Sequence, residues 1–261
     1  MDNNREIYKE NFAEYLLCLA LDIGEGMLKN GAEVSRVEDT VERICRAYGA
    51  AHVEVFSIIS MMTAAVRMPD GTYSSQMRRV KQSGIDLAVL EALNALSREA
   101  CLSTPALDEL DCGIRKIKLQ KSYPAWVTVL AMAVITGGFT FFFGGTWRDA
   151  LVAAFIGVAV SVFEIFPSRY INSLAKTVLS SLVICLISGL SVLLGIGDSG
   201  GTIIIGSIMP LVPGVAFGTA MRDLLLGDLA SGSLKALAAV LHALMIAFAY
   251  MLAASVLGGV I

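Results

Sequence analysis

Five stretches in the C-terminal half of the chain contain no aspartate, glutamate, lysine or arginine: residues 122–147, 150–163, 177–197, 199–221 and 236–261. A bilayer core about 30 Å thick takes roughly 20 apolar residues per helix. With their flanks, these stretches meet that length five times, as spans over 124–143, 147–166, 170–194, 201–220 and 234–260. Residues 1–121, where charges of both signs alternate, read as a water-soluble domain and 122–261 as the membrane domain. The expected fold class is an α-helical polytopic membrane protein of five transmembrane helices with an N-terminal α+β cytoplasmic domain.

Composition agrees. Of 261 residues, 56% are hydrophobic and only 16% charged, too apolar for an ordinary soluble domain. The net charge of -3 offers no concentrated basic face, so no nucleic-acid partner is expected. Cys18, Cys45, Cys101, Cys112 and Cys185 show no paired spacing. An odd count without CxxC suits a reducing compartment, and neither a metal nor a cofactor is expected. Asp2, Arg5, Glu6, Lys9, Glu10 and Glu14 interrupt any apolar run at the start, against a signal peptide.

Lysine and arginine set the orientation. Arg115, Lys116, Lys118 and Lys121 precede the first span, Arg169 and Lys176 flank one link, and Arg222 and Lys235 flank another. The opposite side has Arg148 and the acids Asp149 and Asp198. The positive-inside rule then puts the N-terminus in the cytoplasm and the C-terminus outside, as an odd span number requires.

In the N-terminal domain, Phe12, Tyr15, Leu16, Leu19, Ile23 and Met27 recur at helical spacing up to a stop at Asn30-Gly31. A second helix is expected from Ser35, because Ser35-x-x-Glu38 has the capping-box pattern, and Gly49 should end it. A strand follows near 53–59, then a hairpin turning at Pro69-Asp70-Gly71. Helices over 86–100 and 105–121 complete the domain, the latter with Thr104 as N-cap. Arg36, Glu38, Asp39, Glu42, Arg43 and Arg46 form its most charged face. As a solvated helix side it would hold the pairs Asp39–Arg43 and Glu42–Arg46. His52 and Ser57 lack a third group or strained elbow, so no catalytic residues are expected. Residues 195–200 match G-x-G-x-x-G, but without a βαβ context they do not predict dinucleotide binding.

Span four is unusual. Pro210-Leu211-Val212-Pro213-Gly214 interrupts it in mid-membrane. Each proline removes a backbone donor and clashes with the preceding turn, so this cluster should break the helix. Irregular backbone at membrane depth survives only where it is buried in protein or lines a wet cavity, and broken helices commonly form the sites of secondary transporters. Gly214-x-x-x-Gly218 adds a close-packing pattern. Arg222, Asp223 and Asp228 follow, either as anchors at the membrane surface or as a carboxylate site. Glu164, near the end of span two, either reaches the interface or carries protons.

Gly31-Ala32-Glu33-Val34-Ser35-Arg36-Val37-Glu38-Asp39, the hairpin, and Pro210-Leu211-Val212-Pro213-Gly214 leading to Arg222-Asp223-Leu224-Leu225 and Gly227-Asp228 resemble the threonine/serine exporter family over nearly the whole chain. The resemblance implies a multi-pass inner-membrane exporter of small carboxylates driven by the proton gradient. Long members of that family carry about ten spans in two similar halves. A chain ending after five resembles the split form, in which a second small membrane subunit supplies the other half. Split members go with dicarboxylates such as succinate, fused ones with threonine and serine. The implied partners are thus the carboxylate, the proton, the second subunit and the lipid bilayer, with oligomerisation left open. The implied pathway residues are Pro210, Pro213, Gly214, Arg222, Asp223, Asp228 and Glu164. In that picture Arg222 attracts the carboxylate, and Asp223 holds the arginine or takes part in proton coupling. Two other readings remain: a membrane-anchored regulatory or enzymatic protein working through its cytoplasmic domain, and an assembly subunit without a path of its own.

Overall fold

The computed structural model describes residues 11–81, 84–119, 123–165 and 172–257. The charged flanks Lys121 and Arg169, the acidic and basic residues of the first ten positions, and residue 166 and 170–171 at the expected span ends lie outside them. The chain divides into two compact units. One is Met1–Lys121 with Val215–Ala236, the other Ser122–Gly214 with Leu237–Ile261.

The first unit is built around α1, Phe12–Lys29. Leu16, Leu17, Leu19, Leu21, Ile23 and Met27 are all fully buried. Apolar residues face every side of this helix, so it forms the centre of its unit. Asn11 caps its start by accepting the Ala13 N–H at 3.1 Å, and Asn30 with left-handed Gly31 (φ +90°) ends it. Around it pack α2 (Val34–Ala47), three strands, α3 (Leu87–Ser103) and α4 (Leu107–Leu119). Gly24 allows a close approach: a Cβ there would stand 2.6 Å from Met62 Cε and 2.9 Å from Val41 Cγ2.

The strands β1 (His52–Ile58), β2 (Met61–Arg67) and β3 (Tyr73–Arg79) form an antiparallel meander. Ile58 faces Met61 across a two-residue turn, and Arg67 faces Tyr73 across the expected one. In the latter, the Asp70 carboxylate accepts the Thr72 N–H at 2.8 Å, and Gly71 takes φ +90°. The sequence announced that turn through Pro-Asp-Gly but gave no such signal at Ile59-Ser60.

Two local expectations are corrected. The capping box at Ser35 does not form: α2 begins at Val34, after Glu33, and the Glu38 carboxylate reaches β1 instead, accepting the Ser57 N–H at 2.6 Å. A strand amide that needs an acceptor competes with the helix's own start, and here it wins. Thr104 is not an N-cap either. It closes α3 in the left-handed region (φ 42°), and α4 starts three residues later.

The second unit is helical: α5 (Ala125–Phe142), α6 (Trp147–Ile165), α7 (Ser173–Leu193) and α8 (Gly200–Ile208) pack together. Helix contact is close where small residues meet hydroxyls. A Cβ on Gly157 would collide with Thr136 Oγ1 and one on Gly206 with Thr140 Oγ1, while Thr136 Oγ1 donates across to Ala153 O at 2.8 Å. Such approaches replace the hydrophobic effect as the glue between helices in lipid. The 195–200 link is held by the buried Asp149 carboxylate, which accepts the N–H groups of Asp198 (2.8 Å) and Ser199 (3.1 Å).

Span four is broken, as its prolines predict. After α8 come a 3-10 turn, Met209–Leu211, and an extended Val212; α9 (Gly214–Leu225) then begins. The last helix, α10, runs Leu229–Leu257. Among the described residues, α5, α7 and α10 are long and apolar enough to cross a membrane, and the bent pair α8–α9 makes a fourth if counted as one span. α6 has the length, 19 residues, but carries Arg148, Asp149 and Glu164.

Candidate functional site

Two of the strings that bear the resemblance, 31–39 and 222–228, meet in the first unit. Arg222 and Asp223 lie in the last turn of α9, and the 31–39 string forms the start of α2. Arg222 Nη1 stands 2.9 Å from Glu33 Oε1, with the arginine side chain 66% exposed. Asp223 points the other way and is fully buried. Its Oδ2 lies 2.7 Å from Lys235 Nζ, and its Oδ1 accepts the Val34 N–H at 3.4 Å. Lys235 Nζ also donates to Ala32 O at 3.1 Å.

This arrangement has a clear physical sense. The first amides of α2 need acceptors, and Glu33 makes no side-chain cap. The Asp223 carboxylate supplies one from 189 positions away, at the helix end where a negative charge is favoured. Lys235 balances that charge, which matters because an uncompensated buried carboxylate is costly. The expectation that Asp223 holds Arg222 is therefore replaced: Asp223 takes Lys235, and Arg222 takes Glu33.

A second group of polar atoms lies beside it. Asp228, in the turn after α9, faces Glu38 closely enough to act on it electrostatically. Burial pushes the Glu38 carboxyl above its usual value and the Asp228 charge adds to that, against the Ser57 N–H, which pulls it down. Asp228 Oδ2 and Ser57 Oγ are both buried and, among the described residues, without a hydrogen-bond partner. The sequence singled out Glu38 and Asp228 separately, while Ser57 drew notice only as an unsupported nucleophile. Asp39 pairs with Arg43 at 2.8 Å and Glu42 with Arg46 at 2.6 Å on the exposed side of α2, as the four-residue spacing predicts.

In the second unit, Glu164 meets Lys176 Nζ at 2.9 Å and accepts Ser180 Oγ at 2.9 Å. Pro210 lies in the 3-10 turn, and Pro213 and Gly214 lead into α9. No neighbour lies within 4 Å of a Cβ built at Gly214 or Gly218, so the small-residue pattern packs against nothing among the described residues. Sequence reasoning passed over the buried hydroxyls of this unit, among them Thr136, Thr140, Ser161, Ser180, Ser188 and Ser207. Ser181 Oγ and Ser207 Oγ are buried without a partner among the described residues. Inside apolar runs such residues look like spacers, and only their repeated presence on α7 offered a signal. Among the described residues no three His, Cys, Asp or Glu side chains come together as a metal site.

Residues 18–257 match the family described as "Putative threonine/serine exporter". Among curated proteins, the chain is 24% identical to the "Probable succinate transporter subunit YjjP" of Escherichia coli, over 82% of this chain and 84% of that protein. It is 25% identical to "Pheromone-regulated membrane protein 10" of Yarrowia lipolytica over 87% of this chain, but only 21% of that larger protein. The "Probable threonine/serine exporter" of Mycobacterium tuberculosis is 23% identical over 53% of this chain and 27% of its own length. No solved structure matches.

Proposed function

From the premise that this chain belongs to the threonine/serine exporter family, we propose that it is one subunit of a proton-coupled secondary exporter of small carboxylates in a bacterial inner membrane. The observation that carries this reading is the break between α8 and α9, since an interrupted span supplies backbone groups and a charged helix end to a substrate path. Arg222 follows within the same helix, its guanidinium largely exposed. A planar fork of donors can meet both oxygens of a carboxylate, with Glu33 as the anion it exchanges against. Glu38 is suited to proton coupling, because burial, with the charge of Asp228 adding to it, favours its protonated form.

Dicarboxylates such as succinate rank ahead of threonine and serine here. The succinate-named relative is matched over 84% of its length, the threonine/serine one over 27%. The word "subunit" in the former's name supports a second membrane polypeptide. All five spans are retained in this proposal: α6, with 19 residues, is about 28 Å long, and its charges sit at its two ends. The N-terminus is then cytoplasmic and the C-terminus outside.

Counterflow in proteoliposomes tests the reading, with succinate, other dicarboxylates, threonine and serine, in the presence and absence of the second polypeptide. Flux of a dicarboxylate that requires both chains and a proton gradient is expected. Absence of flux for every carboxylate with both chains present overturns the exporter reading, and full export by this chain alone overturns the split one.

A further inference from the structure

The charged face of α2 has a part that neither the ion pairs nor the export reading uses. Between α2 and α3 lies a cleft of about 410 Å³, lined by Arg36, Asp39 and Arg43 from one helix and Asn94, Ser97 and Arg98 from the other. That volume is within the range of small-ligand sites, roughly 300–1,000 Å³. Three guanidinium groups face one carboxylate, so the charged side chains of the lining sum to +2 (three Arg, one Asp). The carboxylate is already occupied, since Asp39 Oδ1 meets Arg43 Nε at 2.8 Å. Glu42, the other acid on this side of α2, is tied to Arg46. Among the described residues neither the Arg36 nor the Arg98 side chain makes an ion pair or a hydrogen bond; the Arg36 backbone carbonyl accepts from Thr40 Oγ1 at 2.7 Å.

The neutral side chains leave the charged ones to do the selecting. Asn94 Nδ2 donates to Leu90 O at 2.8 Å and Ser97 Oγ to Asn94 O at 2.9 Å, so Ser97 spends its single donor and Asn94 one of its two on their own helix. What the cleft has to offer an anion is therefore mainly guanidinium N–H groups, with one amide N–H of Asn94 beside them. Arg36 and Arg43 are seven residues apart on one helix, about 10 Å along its axis, and Arg98 closes the opposite wall. Long side chains at that spacing can converge on two anionic groups of one small molecule.

We infer that the cleft between α2 and α3 binds a small dianion, a dicarboxylate or a phosphate, from solution. The site shares no residue with the Glu33–Arg222 and Asp223–Lys235 pairs, so it is an accessory site and does not depend on the export reading. Arg36 and Arg98 supply the uncommitted charge, and Asp39 competes with the ligand for Arg43.

Titration calorimetry on the full-length chain in detergent tests this, with succinate and inorganic phosphate as dianions and acetate as the monoanion control. One or both dianions should bind at least tenfold more tightly than acetate. Arg36→Gln with Arg98→Gln should weaken that binding tenfold or more while leaving the thermal midpoint unchanged. Asp39→Asn should tighten it several-fold, and Arg222→Gln should leave it intact. Binding that survives the double arginine change and disappears with Arg222→Gln places the dianion at the export path, which overturns the cleft and leaves the export reading standing. If neither soluble dianion binds, and the arginines matter only for phosphatidylglycerol in mixed micelles, the cleft meets lipid headgroups and the inference falls.

Discussion

Lys235 holds its ammonium 2.7 Å from the carboxylate of Asp223, a residue with no exposed surface. The two are 12 positions apart, on α10 and α9, and both also grip the backbone at the start of α2. The pair is thus as much a clamp on the N-terminal domain as a feature of the apolar half.

Removing one partner should be worse than removing both. Asp223→Ala or Lys235→Met alone leaves a buried charge uncompensated and should cost about 3 kcal/mol. The double change should cost clearly less than the sum of the two. Thermal unfolding of the purified chain in detergent measures this. Additive losses would mean that the two side chains act independently.

Glu38 should make stability depend on pH in the direction opposite to an ordinary paired carboxylate. Its folded carboxyl is raised by burial and by Asp228. Its contribution is therefore fully present below the ordinary carboxylate value and is lost as pH rises through the raised one. Glu38→Gln keeps an acceptor for the Ser57 N–H and removes the charge. The variant should flatten the decline in melting temperature above that range, and an unchanged profile would show that another group is responsible.

The break in span four should be required for flux and not for folding. Proline inside a helix costs about 3 kcal/mol, so Pro210→Ala with Pro213→Ala should let α8 run on and raise or preserve the yield of folded protein. Transport should be lost. Wild-type flux from this double variant would move the path away from the break.

Arg222→Lys retains the charge but loses the fork. Losing one charge-assisted hydrogen bond, worth about 1.5 kcal/mol or more, should lower the transport rate about tenfold with normal membrane insertion. Equal rates would make the residue a surface anchor paired with Glu33.

A cysteine placed in a C-terminal tag should react with an impermeant maleimide on intact cells. Labelling only after permeabilisation would sink the five-span arrangement with an outside C-terminus.

Local signals in the sequence carried much of the fold. Asn30-Gly31, Pro69-Asp70-Gly71 and Pro210-Leu211-Val212-Pro213 act through their own backbone preferences, and each turn or break lies where those preferences put it. Features decided by distant partners were not legible. Ser35-x-x-Glu38 has the right letters for a capping box, yet the Ser57 amide claims Glu38. Arg222-Asp223 reads as a neighbouring pair, but successive residues on a helix point in different directions, and each finds another partner. The site's outline was visible as two separate strings; that they meet was not, because nothing in either string encodes the other.

The meeting of those strings also dictates an order of assembly. Val34 waits for Asp223, and Ala32 for Lys235, across separations of 189 and 203 residues. At a synthesis rate of about 5–20 residues per second, α2 spends roughly 10–40 s outside the ribosome before its capping carboxylate exists. Until then the Val34 amide and the Ala32 carbonyl lack the partners they have in the finished fold. Its completion requires synthesis as far as Lys235, so a chain stalled before Asp223 presents the start of α2 without these partners.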